Sequence, residues 1–237
     1  MRPRPACEWR KAAVEQLARL GRVITYDRRG CTRSERPEPY QTSVEEQVED
    51  AASLVSALDA APAIVIGRSY GGGIALGLAM RHPELVRALV LLEPADMVID
   101  GVAEPWEQDL QRIVEQAAAS DPDRVAEALL RSVLDDEQWA AWPDEFKAMV
   151  AANSPAVLAE VRGAPLQVTS AMLAATDVPT LLVAGETSPP AFRANNDRLA
   201  AVIPDARTVL VGGGHLIDPG DPGALEFVGE VLRSERG

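Results

Sequence analysis

Short, unbroken apolar runs alternate along the chain with segments whose apolar residues recur every three or four positions. "RVITYD" (22–27), "AIVIGRS" (63–69), "RALVLLEP" (87–94), "PTLLVAGE" (179–186) and "RTVLVGGG" (207–214) read as strands. Continuous Val, Ile and Leu is the pattern of parallel strands buried on both faces. Between the first two runs, Val44, Val48, Leu54, Val55 and Leu58 fall at helical spacing, and Ser43 followed by Glu46 predicts a capping box. "GGGIALGLAMRHPELV" predicts a helix ending near Pro83, and "PPAFRANNDRLAAVI" and "PGALEFVGEVLRSE" predict two more. Strand–helix alternation implies right-handed crossovers. The expected class is α/β, a mostly parallel sheet of about five strands with helices on both faces.

Residues 95–176 break this rhythm. They show no strand pattern but four helical stretches: "PWEQDLQRIVEQAAA", "PDRVAEALLRSVL", "DEQWAAWPDEFKAMVAA" and "APLQVTSAMLAAT". The expected organisation is therefore a core of residues 1–94 and 177–237, with residues 95–176 as a helical cap over the sheet's C-terminal edge. Ligands bind at that edge in open α/β sheets. Trp106, Trp139, Trp142 and Phe146 lie in this segment and are expected to pack the cap on the core.

Composition narrows the partners. With 237 residues, 47% hydrophobic and 25% charged, the chain suits one sizeable α/β domain, or a smaller domain carrying an insertion. A net charge of -13 repels a phosphate backbone, which excludes nucleic acid as the expected partner. No apolar run approaches the ~18 residues of a membrane span. "MRPRPACEWRKAA" lacks the apolar h-region of a secretory signal. The expectation is a cytoplasmic protein, monomer or homodimer, acting on a small molecule away from membranes. Cys7 and Cys31 are expected as free thiols, and two cysteines with two histidines give no metal site. No cofactor is expected.

The chemistry centres on "GRSYG", residues 67–71. G-x-S-x-G between an apolar strand and a helix predicts a strained turn that exposes the Ser69 hydroxyl, framed by Gly67, Arg68 and Gly71. Gly67 and Gly71 are expected to supply missing bulk, and Gly72 and Gly73 close packing of the helix. The Tyr70 amide at the helix N-terminus would face a developing oxyanion. Serine needs a base. Of the two histidines, His82 in "RHPEL" reads as a helix C-terminal residue, whereas His215 in "VLVGGGHLID" follows the last strand on the same edge as the elbow. His215 is the expected base.

Together "YDRRGCTRS", "GRSYGG", "HPELVRALVLLEP", "VPTLLVAGE" and "GGGHLID" resemble the α/β-hydrolase family from about Trp9 to the C-terminus. The resemblance implies that fold with a helical cap, and a catalytic order of Ser69, an acid, then His215. In much of the family the acid follows the strand before the last one, where this chain has Ser188, with Glu186 two residues earlier. Other members take it from the end of the strand after the nucleophile helix, which here supplies Glu93. Glu93 is preferred, with Glu186 as the alternative and Asp96 and Asp218 behind them. The competing role for Glu93 is a salt bridge to an arginine. The family's early strand ending in His-Gly, which gives a second oxyanion donor, has no counterpart here. Either Met1 is an internal start, or the strands close the gap by pairing directly and another loop donates. "GCTRS" is the candidate loop, with Thr32 where the family usually has glycine.

The resemblance implies a serine hydrolase, EC 3.1.1-like, that cleaves a small ester, lactone or thioester through an acyl-enzyme. Within enzymes, a carbon–carbon bond hydrolase or a cofactor-free perhydrolase would use the same residues. The competing class is a non-catalytic or truncated paralogue that keeps the fold to bind a ligand.

Overall fold

The computed structural model describes residues 6–103 and 105–234, with side chains from residue 11 onward. The expectations for Met1, Cys7 and Trp9 fall outside the described side chains. Helices α1 (Ala6–Leu17) and α2 (Val44–Ala57) precede strand β1 (Ala63–Arg68), helix α3 (Tyr70–Arg81) and strand β2 (Val86–Leu92). There follow β3 (Met97–Ile99), α4 (Pro105–Ser120), α5 (Val125–Arg131), α6 (Asp136–Ala140), α7 (Asp144–Ala152), α8 (Ser154–Arg162), β4 (Leu166–Val168) and α9 (Ser170–Ala174). The chain closes with β5 (Thr180–Gly185), α10 (Pro190–Ala200), β6 (Ala206–Val211) and α11 (Pro222–Ser234).

The main sheet is parallel, in the order β1-β2-β5-β6, with Gly67 opposite Leu91, Leu91 opposite Leu182 and Leu182 opposite Thr208. Alternation of side chains divides it into two cores. Leu89, Leu91 and Leu182 face Val48, Ile74 and Leu78 of α2 and α3. Ala88, Val90, Leu92, Leu181 and Val183 face Phe227 and Val228 of α11, with Leu17 and Leu20 alongside. Both faces of the central strands are covered, which is why β2 is apolar at almost every position. Every strand of this sheet ends on the same edge. The residues after β1, β2 and β6 are therefore brought to one side by topology alone.

Three expectations change. Residues 22–27 form no strand: they run without ladder partners among the described residues, and the outer edge of β1 is unpaired there too. A strand is defined by its neighbour, and an apolar sequence without one stays as coil; of the two alternatives, direct closure of the gap by pairing does not occur among the described residues. Residues 95–176 do contain strands, because β3 and β4 pair in parallel, Met97 with Leu166 and Ile99 with Val168. These four side chains join the core around α2 and α3. The helices between them carry their own small cluster of Ala126, Trp139 and Val150, backed by Trp142 and Phe146. Finally, only one arm of the capping box forms. Ser43 Oγ accepts from the Glu46 amide at 3.1 Å, while the Glu46 carboxylate turns toward Arg29 at 3.9 Å.

Candidate active site

Ser69 sits between β1 and α3 with φ 51° and ψ -123°, a left-handed backbone that an L residue holds only under constraint. The constraint is a set of backbone bonds. The Ser69 amide donates to Leu92 O at 3.1 Å, and its carbonyl accepts from Gly72, Gly73 and Ala95 at 2.7, 3.2 and 3.0 Å. A Cβ on Gly67 would lie 2.2 Å from Gly71 O, so the tight turn requires glycine at 67. The expected requirement at Gly71 is not met, since a Cβ there would touch nothing within 4 Å. It is the Gly71 backbone, not a missing side chain, that closes on Gly67. As the first residue of α3, Tyr70 has no carbonyl within its helix to take its N–H, and the amide stays available at the helix N-terminus.

Glu93 follows β2 as Ser69 follows β1, and it also holds a left-handed φ, 48°. Its side chain is fully buried at 0% exposure. Oε1 accepts from the Gly185 amide at 2.8 Å, and Oε2 lies 2.7 Å from Nδ1 of His215. His215, on the loop after β6, is 4% exposed. A buried carboxylate is tolerated when both its oxygens have donors, and here they do. The partner beside Glu93 is thus the imidazole. Glu186 is exposed at the end of β5, and its side chain does not reach the imidazole. Ser188 keeps its hydroxyl buried without a partner among the described residues, and Asp218 accepts from the Gly220 amide at 2.8 Å. His82 ends α3 and bonds Glu49 at 3.1 Å on the surface, as a structural residue would.

One link carries the elbow to the histidine loop and another to the residues around the acid. Arg68 Nη1 donates to Ile217 O at 3.2 Å, two residues beyond His215. The Ser69 backbone is bonded to Leu92 and Ala95, on either side of Glu93, through the bonds above. Among the described residues no hydrogen bond joins Ser69 to His215; in free enzymes this contact is frequently long and tightens with substrate.

The amides of Gly30, Cys31, Thr32 and Ser34 in the "GCTRS" loop are already engaged. The amides of Gly30 and Cys31 donate to Glu35 O and Arg28 O at 3.0 and 2.9 Å, and that of Thr32 donates to Asn153 Oδ1 at 2.7 Å. The loop is instead bound to the cap and the elbow. Arg28 pairs with Glu160 of α8 at 2.6 Å, and its guanidinium lies 5.1 Å from the centre of the Tyr70 ring. Burial, then Glu160, pushes the Cys31 thiol up to about 11, so it stays protonated and unreactive near neutrality. Asp96 is pushed up to about 7, first by burial and then by Glu107 and Glu160, with Arg28 opposing.

Sequence reasoning missed the surroundings of the base. Phe192 of α10 stacks on the His215 ring with centroids 3.9 Å apart and planes 20° apart, and Trp106 of α4 packs on Phe192 at 4.7 Å. Trp106, Leu110, Ile113, Val133, Pro189 and Phe192 line a cleft of about 150 Å³ between cap and core. The available signal was the pair Asn195–Asn196, three and four residues after Phe192 on the same helix face, which is too polar for an ordinary core face.

Comparisons with known proteins agree with this architecture. The alpha/beta hydrolase fold family model matches residues 7–217. A 2-hydroxymuconate semialdehyde hydrolase from Pseudomonas sp. (strain CF600) is 41% identical over 101 residues, 41% of this chain and 35% of the relative. The match thus spans about a third of that relative's length. A solved hydrolase from Pseudomonas aeruginosa PA01 superposes with a TM-score of 0.75 at 28% identity, over 96% of this chain and 85% of the other. Est816, described as an N-acyl homoserine lactone degrading enzyme, superposes at 0.67 with 25% identity, over 94% and 87% of the two chains. No described helix is long and apolar enough to cross a membrane. This chain belongs to the alpha/beta hydrolase fold family.

Proposed function

We propose that the chain is a serine hydrolase that cleaves a small ester, lactone or thioester through an acyl-enzyme. Ser69 Oγ attacks the carbonyl carbon while Nε2 of His215 takes its proton. Nδ1–H donates to Glu93 Oε2, which fixes the tautomer and stabilises the imidazolium. The Tyr70 amide donates to the oxyanion. Collapse of the intermediate breaks the bond to the leaving oxygen or sulfur, which receives the proton from Nε2. A water molecule then attacks the acyl carbon, loses its proton to His215 and releases Ser69 as the intermediate collapses again.

The observation that carries this reading is the buried 2.7 Å contact of Glu93 with His215, on the same sheet edge as a serine in a left-handed strand–helix turn. A carboxylate buried at an imidazole has a clear purpose in catalysis and a poor one in stability. Ser69 and Glu93 both hold left-handed conformations, each costing about 1–3 kcal/mol, as Thr32, Asp59, Asp96 and Asp100 also do, so it is their position beside the base that supports the catalytic reading.

The name of the Pseudomonas relative, a hydrolase of a semialdehyde, favours a second reading, hydrolysis of a carbon–carbon bond beside a carbonyl by the same residues. Mixing the protein with p-nitrophenyl acetate tests the first reading. The expected result is a burst of p-nitrophenol of about one equivalent followed by slower turnover. Neither burst nor turnover on folded protein would overturn it, and cleavage of a dioxo compound without any of esters would move it to the second reading.

A further inference from the structure

Glu93 alone does not hold the imidazole. A bond to Nδ1 fixes one end of the ring but leaves it free to tilt about the bond axis, which swings Nε2 away from Ser69. The structure supplies the missing constraint from the other side. Phe192 lies face to face with His215, centroids 3.9 Å and planes 20° apart, and is itself 2% exposed. Trp106 of the first cap helix backs it at 4.7 Å with an interplanar angle of 50°.

The backbone that carries Phe192 is tied to the acid's own strand. Asn195 Nδ2 donates to Pro94 O at 2.8 Å, on the residue next to Glu93. Asn196 Nδ2 donates to Val183 O at 3.0 Å, two residues before Gly185, whose amide holds Glu93 Oε1. Both asparagines are 3% exposed. Buried amides of this kind fix helix position, because moving the helix would leave them without acceptors. Phe192, Glu93 and His215 are thus registered through one frame of β2, β5 and α10.

We propose that Phe192 is a positioning residue for the reaction: its ring face sets the plane of the His215 imidazole so that Nε2 addresses Ser69. This rests on the reading of His215 as the base. When the ring takes the serine proton, the positive charge forms over a π face, which favours the state that catalysis passes through. Phe192 also lines the cleft between cap and core, but loss of the positioning role is expected in kcat more than in KM.

The test combines kinetics with the imidazole resonances. In a His82→Gln background His215 is the sole histidine, so its ring protons are assigned directly. They are expected to be displaced by the Phe192 ring current in the folded protein, and to return toward ordinary positions in Phe192→Leu. In the same variant, kcat for p-nitrophenyl acetate is expected to fall roughly tenfold or more with KM within about twofold, since small misplacements of a catalytic group are costly. Phe192→Tyr, which keeps the ring face, is expected to recover most of the rate. Undisplaced resonances in the parent would overturn the proposal even if Phe192→Leu does not fold. So would a folded Phe192→Leu whose kcat matches the parent. A parent that turns over neither an ester nor a dioxo compound would overturn the hydrolase reading and this role together, whereas an active parent with an indifferent Phe192→Leu overturns the role of Phe192 alone.

Discussion

Glu93 and His215 meet at 2.7 Å across 122 residues of sequence, both shut away from solvent on one edge of the parallel sheet, with β5 between the strands that carry them. Glu93 is placed by β2, the strand after the nucleophile helix, and its second oxygen is held by the Gly185 amide of β5. Glu93→Gln keeps the volume and an acceptor for Gly185, but removes the charge that stabilises an imidazolium and can present an N–H where an acceptor is needed. The expected result is a loss of roughly 10²- to 10⁴-fold in kcat for p-nitrophenyl acetate with little change in KM. Glu186→Gln is expected to stay within about twofold. Equal small losses in both would show that the acid is misassigned.

The elbow makes a steric prediction that separates two glycines of the same motif. Gly67→Ala forces a Cβ to 2.2 Å from Gly71 O and is expected to cost several kcal/mol, of the order of an overpacked core. Gly71→Ala meets open space inside a helix and is expected to be neutral or to stabilise by about 0.5–1 kcal/mol. Urea denaturation of the two variants checks this. A Gly67→Ala protein as stable as its parent would contradict the close approach of Gly67 to Gly71.

These two cases also mark how far the chain could be read from its residues. Ser69 and His215 were legible because an apolar strand, a glycine turn and a choice between two histidines leave little freedom. Glu93 came forward through the resemblance, as the acid at the end of the strand after the nucleophile helix, with Glu186 beside it as the alternative. Phe192 was not legible, since an aromatic residue on a helix says nothing about which ring it will meet. The same limit explains residues 22–27, where an apolar run is present but the neighbouring strand that would make it a ladder is not. The short pair β3 and β4 lay hidden for the opposite reason: each strand has only three residues, and its partner is some 70 positions away.

Asp96 makes one contribution to the pH dependence of stability. Its folded pKa is raised to about 7 from an ordinary 3.8, so the folded state binds a proton that the unfolded state releases. The sign follows: stability is fully present below about 4 and is lost as pH rises through about 7, after which this contribution is flat. Asp96→Asn removes the titration. Its Tm is expected to match the parent near pH 4, to exceed it increasingly up to pH 7, and to hold that lead at pH 8.5. A lead that is constant from pH 4 to 8.5 would show that Asp96 is not raised.

Thr32 holds a left-handed φ of 50°, unusual for a β-branched residue, with its amide on Asn153. Thr32→Gly relieves the backbone and keeps that bond but loses the 3.3 Å bond from Asn153 Nδ2 to the Thr32 hydroxyl, so a net gain of no more than about 1 kcal/mol in urea denaturation is expected, with esterase activity within about twofold of the parent. A large gain in activity would mean that this amide does serve the oxyanion once freed from the constraint.

The central claim is that Ser69 is the nucleophile, and covalent labelling tests it most directly. The protein is treated with a fluorophosphonate, and the adduct is located by mass spectrometry of the peptide that contains residues 67–71. The account predicts one adduct per chain, on Ser69, absent in Ser69→Ala and formed far more slowly in His215→Asn. Folded protein that takes up no label, or label that persists in Ser69→Ala, would contradict it.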